Sequence, residues 1–251
     1  MPRTFILNNR SLETLSLDYF WCRGELDGPP TILSNLKLLD VYYPQDILLT
    51  IFHTPALQRL SSLSILPEKP DYDRFTFRAT GEGIVFTLRV DLYDFVDLWQ
   101  DLTKHAKPTI RHVRLENPDD RELVESDGCN AVFSLLTDVH TLEIGRGYAP
   151  NFYPDFWEDL KQFLPQLRTI RFEIPEETEP HPYPPSEYQA WGAELLHGIE
   201  ELVTYRFQQG RPFSVVERMV VSESEPINRQ QDFVWRSFYS DRRLDQYIGH
   251  E

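Results

Sequence analysis

The chain is poor in cysteine and in basic residues. Among its 251 residues only Cys22 and Cys129 are cysteines, which excludes a disulfide framework and favours a reducing compartment. The 25 lysines and arginines are outnumbered by 40 aspartates and glutamates, so the formal net charge is −15. Because this charge repels phosphate groups, the composition disfavours nucleic acids and anionic membranes as general partners.

Long apolar runs are also missing. None approaches the roughly 20 residues that span a bilayer, and the first residues do not form the apolar segment of a signal peptide. We therefore expect a cytoplasmic or nuclear protein without a membrane partner. Hydrophobic residues still make up 41% of the chain, which is enough for a sizeable core and argues against global disorder.

What the chain does contain is a repeated pattern, with apolar residues at offsets 0, 3 and 5. Successive copies begin 24, 24, 25, 25, 29, 28 and 35 residues apart. A step of roughly 20 to 30 residues with this pattern is typical of leucine-rich repeats. The apolar residues of the copies are Leu12/Leu15/Leu17, Leu36/Leu39/Val41, Leu60/Leu63/Ile65, Val85/Leu88/Val90, Ile110/Val113/Leu115, Val139/Leu142/Ile144, Leu167/Ile170/Phe172 and Leu202/Tyr205/Phe207.

This pattern predicts an α/β fold, an irregular leucine-rich-repeat solenoid. The end of each copy alternates apolar and polar residues, as a strand with one buried face does. One such strand cannot bury its apolar face alone, so the units stack into a curved parallel sheet with helices on the convex side. We expect residues 1–251 to form a single domain, with repeats over residues 12–207 and a capping strand and helix over residues 208–251.

Local patterns refine this expectation. Residues 74–90 alternate around a glycine turn, which predicts that a β-hairpin replaces the helix of one repeat. Residues 91–105 carry a clear apolar stripe and predict a helix. A helix over residues 187–201 is expected before a strand at residues 202–207. Only a short turn separates that strand from the next one at residues 213–221, so this last strand is predicted to be antiparallel.

The polar residue at offset 4 of each copy provides a candidate binding surface. In a stacked sheet these residues form one column, and four of its last five members are arginines. Such a stripe on the concave face could hold carboxylates in a bidentate manner. A simpler alternative is that charged residues suit an exposed sheet face, with Glu143 pairing its neighbours. The predicted protein-binding residues are Arg89, Arg114, Glu143, Arg171 and Arg206 from this column, together with His112 at offset 2 of its copy.

Sequence signatures of catalysis are missing. The seven histidines are scattered, without H-E-x-x-H or zinc-ligand spacing, and there is no G-x-S-x-G. Glycine pairs such as Gly81 and Gly83 are better explained as turns than as phosphate loops. We therefore predict no enzyme, no catalytic residue, no metal and no cofactor.

The irregular repeat units resemble the leucine-rich half of fungal F-box-type proteins. The resemblance rests on the helix at residues 91–105, on the units at residues 109–115 and 163–172, and on the hairpin that replaces one repeat. In that family an F-box docks to a ubiquitin-ligase adaptor, and the repeats present a substrate. No segment before Leu12 is expected to form an F-box, so the resemblance implies only the substrate-recognition part.

Three functional interpretations follow from the sequence. The first is a non-enzymatic module that recognises an unidentified protein partner, with a ligase adaptor added only if an F-box lies upstream. The second is an enzyme of unrecognised type on an α/β scaffold, for which His112, Arg114, Glu143 and Arg171 are the available cluster. The third is a truncated copy without independent function.

Overall fold

One sheet of nine strands runs through the computed structural model of this protein. The structure describes residues 11–18, 32–42, 51–67, 75–115, 127–145, 156–175 and 185–221. The strands are β1 (Thr14–Asp18), β2 (Leu38–Tyr42), β3 (Leu60–Pro67), β4 (Phe75–Gly81), β5 (Ile84–Val90), β6 (His112–Leu115), β7 (Thr141–Ile144), β8 (Thr169–Pro175) and β9 (Val215–Val221). Their order across the sheet is β1-β2-β5-β4-β3-β6-β7-β8-β9.

The sheet is mostly parallel, with one antiparallel insertion. β4 runs against both of its neighbours, β3 and β5, whereas every other pair of neighbouring strands is parallel. The predicted hairpin is confirmed: β4 and β5 turn at Glu82 and Gly83, where Gly83 has a φ of 68° that glycine adopts without strain.

This insertion changes which strands are neighbours. Because β3, β4 and β5 follow each other as a meander, β5 rather than β3 lies beside β2. In this register Asp40 faces Thr87 of β5, and Arg89 faces Tyr42. The offset-4 residues of the second, third and fourth copies are Asp40, Ser64 and Arg89, which were expected to be neighbours in that order. That order is wrong, because β5 and β4 lie between β2 and β3.

Four helices and one short 3-10 helix connect the strands in the described ranges. The helices are α1 (Leu92–His105), α2 (Asp127–Ser134), α3 (Phe156–Phe163) and α4 (Pro185–Gln208), and the 3-10 helix is Pro55–Arg59. The predicted helix at residues 91–105 is confirmed. The Asp91 side chain caps it by accepting a 2.7 Å hydrogen bond from the backbone N–H of Asp94.

The described helices form a single layer on one face of the sheet. Consecutive helices pack against each other, and their buried residues join those of the strands in one hydrophobic core. Phe77 of β4 stacks on Phe95 of α1, with ring centroids 3.6 Å apart. Residues that alternate with the buried strand residues, such as Arg78 after Phe77, therefore lie on the opposite face, which we call the open face.

The C-terminal repeat differs from the prediction. Residues 202–207 are the end of α4 and not a strand, because the residues that face the core are Ile199, Leu202, Val203 and Arg206, which have helical spacing. α4 then serves as the crossover between β8 and β9, so β9 is parallel to β8 instead of antiparallel. The parallel sheet thus extends past residue 207, and most of the predicted cap at residues 208–251 lies outside the described residues.

Candidate functional site

The open face is the candidate functional site, since the described helices cover only the other face. Its central row of residues, in register from strand to strand, contains one residue from each strand. From β1 to β9 in sheet order the row is Ser16, Asp40, Thr87, Arg78, Ser64, Arg114, Glu143, Arg171 and Glu217. The side chains of neighbouring strands in such a row are about 4.8 Å apart.

Four of the predicted site residues meet around one carboxylate. Glu143 Oε2 accepts a 3.1 Å hydrogen bond from Arg114 Nη1, and Oε1 accepts one of 3.3 Å from Arg171 Nη1. Nε2 of His112 lies 3.2 Å from the same Oε1. Glu143 is only 5% exposed, although it lies on the open face. We call these four residues the Glu143 cluster; its cationic groups cover the carboxylate from both neighbouring strands.

The Glu143 carboxyl is held in its ionised form. Burial by itself would raise its pKa, but His112 and Arg114 together outweigh that effect, so the pKa lies below the usual glutamate value. A carboxylate stabilised in this way is a weak base at neutral pH. The cluster is therefore better suited to fastening β6, β7 and β8 together than to accepting a proton from a substrate.

Arg89 lies apart from this cluster, at the other side of the antiparallel insertion. Its Nη1 donates a 3.1 Å hydrogen bond to Oδ1 of Asp40 on the neighbouring strand β2. The guanidinium also lies 5.8 Å from the ring centre of Tyr42, a cation–π distance. Both partners of the ion pair keep about a third of their side-chain surface exposed (33% and 28%), so this contact is half-buried.

Arg206 does not belong to the open face, which corrects its predicted role. It is 3% exposed in α4 and donates hydrogen bonds to the backbone carbonyls of Leu164, Pro165 and Leu167, at 3.1, 3.1 and 2.6 Å. Burial and the nearby Arg211 lower its pKa from the usual arginine value. Because those carbonyls belong to the turn that leads into β8, Arg206 fixes α4 to that turn and cannot contact a partner.

Arg78 is an open-face residue that the repeat pattern missed. It stands in β4, between Thr87 and Ser64 in the central row, and its side chain is exposed. Within the described part of the chain it has no ion pair. The alternation of Phe75, Phe77 and Ala79 could have placed it on the polar face, but no sequence signal gives the position of β4 in the sheet.

Other features of the described residues lie away from the open face. A shallow groove of about 370 Å³ runs between α3 and α4 and is lined by polar residues that include Lys161 and His197. In these ranges no three His, Cys, Asp or Glu side chains are placed to hold a metal ion. None of the helices described is both long and apolar enough to cross a bilayer.

Comparisons with known proteins assign neither a family nor a function to this chain. Searches against protein-family models, curated proteins and solved structures returned no match for the chain. The function of the chain is therefore inferred from the residues of its open face.

Proposed function

We propose that this chain is an irregular leucine-rich-repeat solenoid that recognises another protein through its open face, without catalysing a reaction. The observation that carries the proposal is the division of the sheet into two faces. One face is covered by α1 to α4, and the other presents a continuous polar row with arginines on three strands, β4, β6 and β8. Arginine and hydroxyl side chains on a broad surface suit contact with a folded or extended partner better than they suit a small-molecule pocket.

The partner is an unidentified protein, and the resemblance to F-box-type proteins suggests its class. We propose that the open face forms the substrate-recognition part of an F-box-like ubiquitin-ligase receptor in the cytoplasm or nucleus. The antiparallel hairpin within the repeats supports this extension, since the resemblance includes such a replacement. The link to a ligase adaptor depends on an F-box and is tested separately below.

For the enzymatic alternative, the Glu143 cluster is the only group of residues that the sequence analysis offers as a catalytic site. Each oxygen of Glu143 already contacts an arginine. Such an arrangement favours the ionised carboxylate, whereas general acid–base catalysis needs a pKa near the working pH. The observation therefore supports a structural role for Glu143 and gives no specific support to an enzyme.

Affinity purification followed by mass spectrometry, from the native cell, tests the proposal. The bait is the full chain, compared with Ser64→Tyr, which places a bulky ring in the middle of the open face between Arg78 and Arg114. Ser134→Tyr is the matched control, because Ser134 is exposed on α2 in the helical layer. Urea unfolding of each variant shows whether the fold is kept.

A partner that Ser64→Tyr loses and Ser134→Tyr retains is the expected result. Co-recovery of ubiquitin-ligase components with that partner would support the F-box-type extension, and their absence would count against the extension alone. Equal recovery by both tyrosine variants would overturn recognition through the open face, as would a failure of the wild-type chain to recover any specific partner.

A further inference from the structure

The middle of the open face carries positive charge without any acidic residue. Strands β5, β4, β3 and β6 together contribute three arginines to it, Arg89, Arg78 and Arg114, which we call the basic centre. The other open-face positions of these four strands are Thr76, Thr80, Val85, Thr87, Ser62, Ser64, Leu66 and His112. A cationic region of this kind is unusual in a chain with a net charge of −15.

The outer arginines of the basic centre are held by acids on the flanking strands. Arg89 pairs with Asp40 of β2, and Arg114 pairs with Glu143 of β7, both at 3.1 Å. Arg78 stands between them with Thr87 and Ser64 as its uncharged register neighbours. Within the described ranges no carboxylate reaches it, so its guanidinium offers its donors to a ligand from outside.

An apolar spot lies next to the basic centre. Leu38 of β2 is 36% exposed on the open face, and Val85 of β5 is its register neighbour. Val85 and Arg78 are on adjacent strands and one open-face position apart, a separation of about 8 Å from the strand spacing and the rise per residue. An extended peptide covers that distance in two or three residues.

We infer that the basic centre binds an extended acidic segment of the partner protein, with a carboxylate on Arg78 and an apolar side chain on Leu38 and Val85. Charge complementarity selects this occupant, since a carboxylate can form a bidentate pair with the Arg78 guanidinium, which has no acidic partner among the residues that the structure describes. The nearby hydroxyls of Ser64 and Thr87 can hydrogen-bond the peptide backbone. The inference rests on the proposed function and specifies the chemistry of its partner.

Selection from a library of random 12-residue peptides displayed on phage, with the full chain as the bait, tests this inference. Peptides that combine Asp or Glu with an apolar residue two or three positions away are expected to be enriched. The strongest binder is then synthesised with a fluorescent label, and its affinity is measured by anisotropy. Arg78→Glu is expected to weaken binding at least tenfold, whereas Lys104→Glu, with the same charge change on α1 in the helical layer, leaves it within twofold.

Two further comparisons separate this inference from the proposed function. Unfolding by urea is expected to be the same for Arg78→Glu and wild type, since Arg78 is exposed. If the selected peptides are not acidic, or bind Arg78→Glu as well as wild type, the inference is wrong. If those same peptides are lost with Ser64→Tyr, the open face still binds protein. If the peptides are insensitive to both substitutions, or no peptide is enriched, the inference is wrong, and the affinity purification with Ser64→Tyr decides the recognition function on its own.

Discussion

In β6, β7 and β8 the central row of the open face consists of Arg114, Glu143 and Arg171, whereas in β4 it holds Arg78 between two uncharged neighbours. The charged groups of the first set are paired with one another, because each oxygen of the buried carboxylate contacts an arginine. Arg78 is exposed and has no such contact within the described residues. The same residue type in the same row therefore stabilises the fold in one region and is available to a ligand in the other.

The difference follows from how the strands are joined. Around Glu143 the strands are parallel and follow the register that the sequence pattern predicts, so the acid of β7 lies directly between the arginine of β6 and the arginine of β8. β4 is an antiparallel insertion, and its neighbours contribute Thr87 and Ser64 at the corresponding positions. Substitutions in each of the two regions test this contrast.

Removal of the buried carboxylate is expected to have the largest effect. In Glu143→Ala, the guanidinium groups of Arg114 and Arg171 face a cavity without their counter-charge. We expect the free energy of unfolding to fall by about 3 kcal/mol, the lower end for breaking a buried ion pair, because the arginines keep part of their surface exposed. Urea denaturation followed by circular dichroism measures the change.

Asp40→Ala is the matched control for that experiment. It removes the acid from the half-buried pair with Arg89, where solvent screens the interaction, so a loss of about 1 kcal/mol or less is expected. If Glu143→Ala cost no more than Asp40→Ala, the Glu143 cluster would not be a distinct stabilising unit.

The antiparallel insertion is tested by Gly81→Ala, which is expected to have an intermediate effect. A Cβ atom at position 81 would lie 1.9 Å from the backbone oxygen of Arg59, at the point where the register between β3 and β4 shifts. Because backbone must move to relieve this overlap, we expect a loss of about 2 kcal/mol in unfolding free energy.

Gly83→Ala provides the comparison within the same hairpin. Its nearest neighbouring atom is 3.8 Å away, so the cost there comes from the positive φ alone and is expected to be about 1 kcal/mol. Equal effects of the two substitutions would contradict the close approach at Gly81. A shifted β4 would also displace Arg78, so Gly81→Ala is expected to lower the affinity of the chain for the selected acidic peptide.

The pH dependence of stability gives the smallest expected effect. Since the folded-state pKa of Glu143 is lowered, its contribution is complete above the unfolded-state value, about 4.3, and is lost as the pH falls through the folded-state value. The stability difference between wild type and Glu143→Gln should therefore shrink on acidification from pH 7 to pH 3. His112, Arg114 and Arg171 are the groups that face this carboxylate.

Urea midpoints measured at several pH values for both proteins provide this comparison. Arg78→Gln serves as the reference from the other region, since it leaves the Glu143 cluster unchanged, introduces no group that titrates in this range, and should follow the wild-type dependence. A difference between wild type and Glu143→Gln that stays constant or grows below pH 4 would show that the carboxylate is not stabilised by its cationic neighbours.

Much of the regular half of the sheet was predictable from the repeat. The offsets place Arg114, Glu143 and Arg171 in one row, and the register of β6, β7 and β8 agrees residue by residue. The strand predicted from the copy at Leu202 was wrong, because apolar residues three positions apart also fit a helix. Ile199, Leu202 and Val203 form the buried helical stripe, and the polar Arg206 continues it because its guanidinium caps backbone carbonyls.

The face on which each strand residue lies is a property of the sequence alone. Alternation is local. The pattern of β4 itself therefore predicts that Phe77 faces the helices and that Arg78 faces away from them. Which strands become neighbours was decided only by the tertiary structure, because the meander places β5 beside β2 and β4 in between. Pairing joins residues far apart in the chain. The three contacts of Glu143, and the uncharged register neighbours of Arg78, therefore arise only when the whole sheet forms.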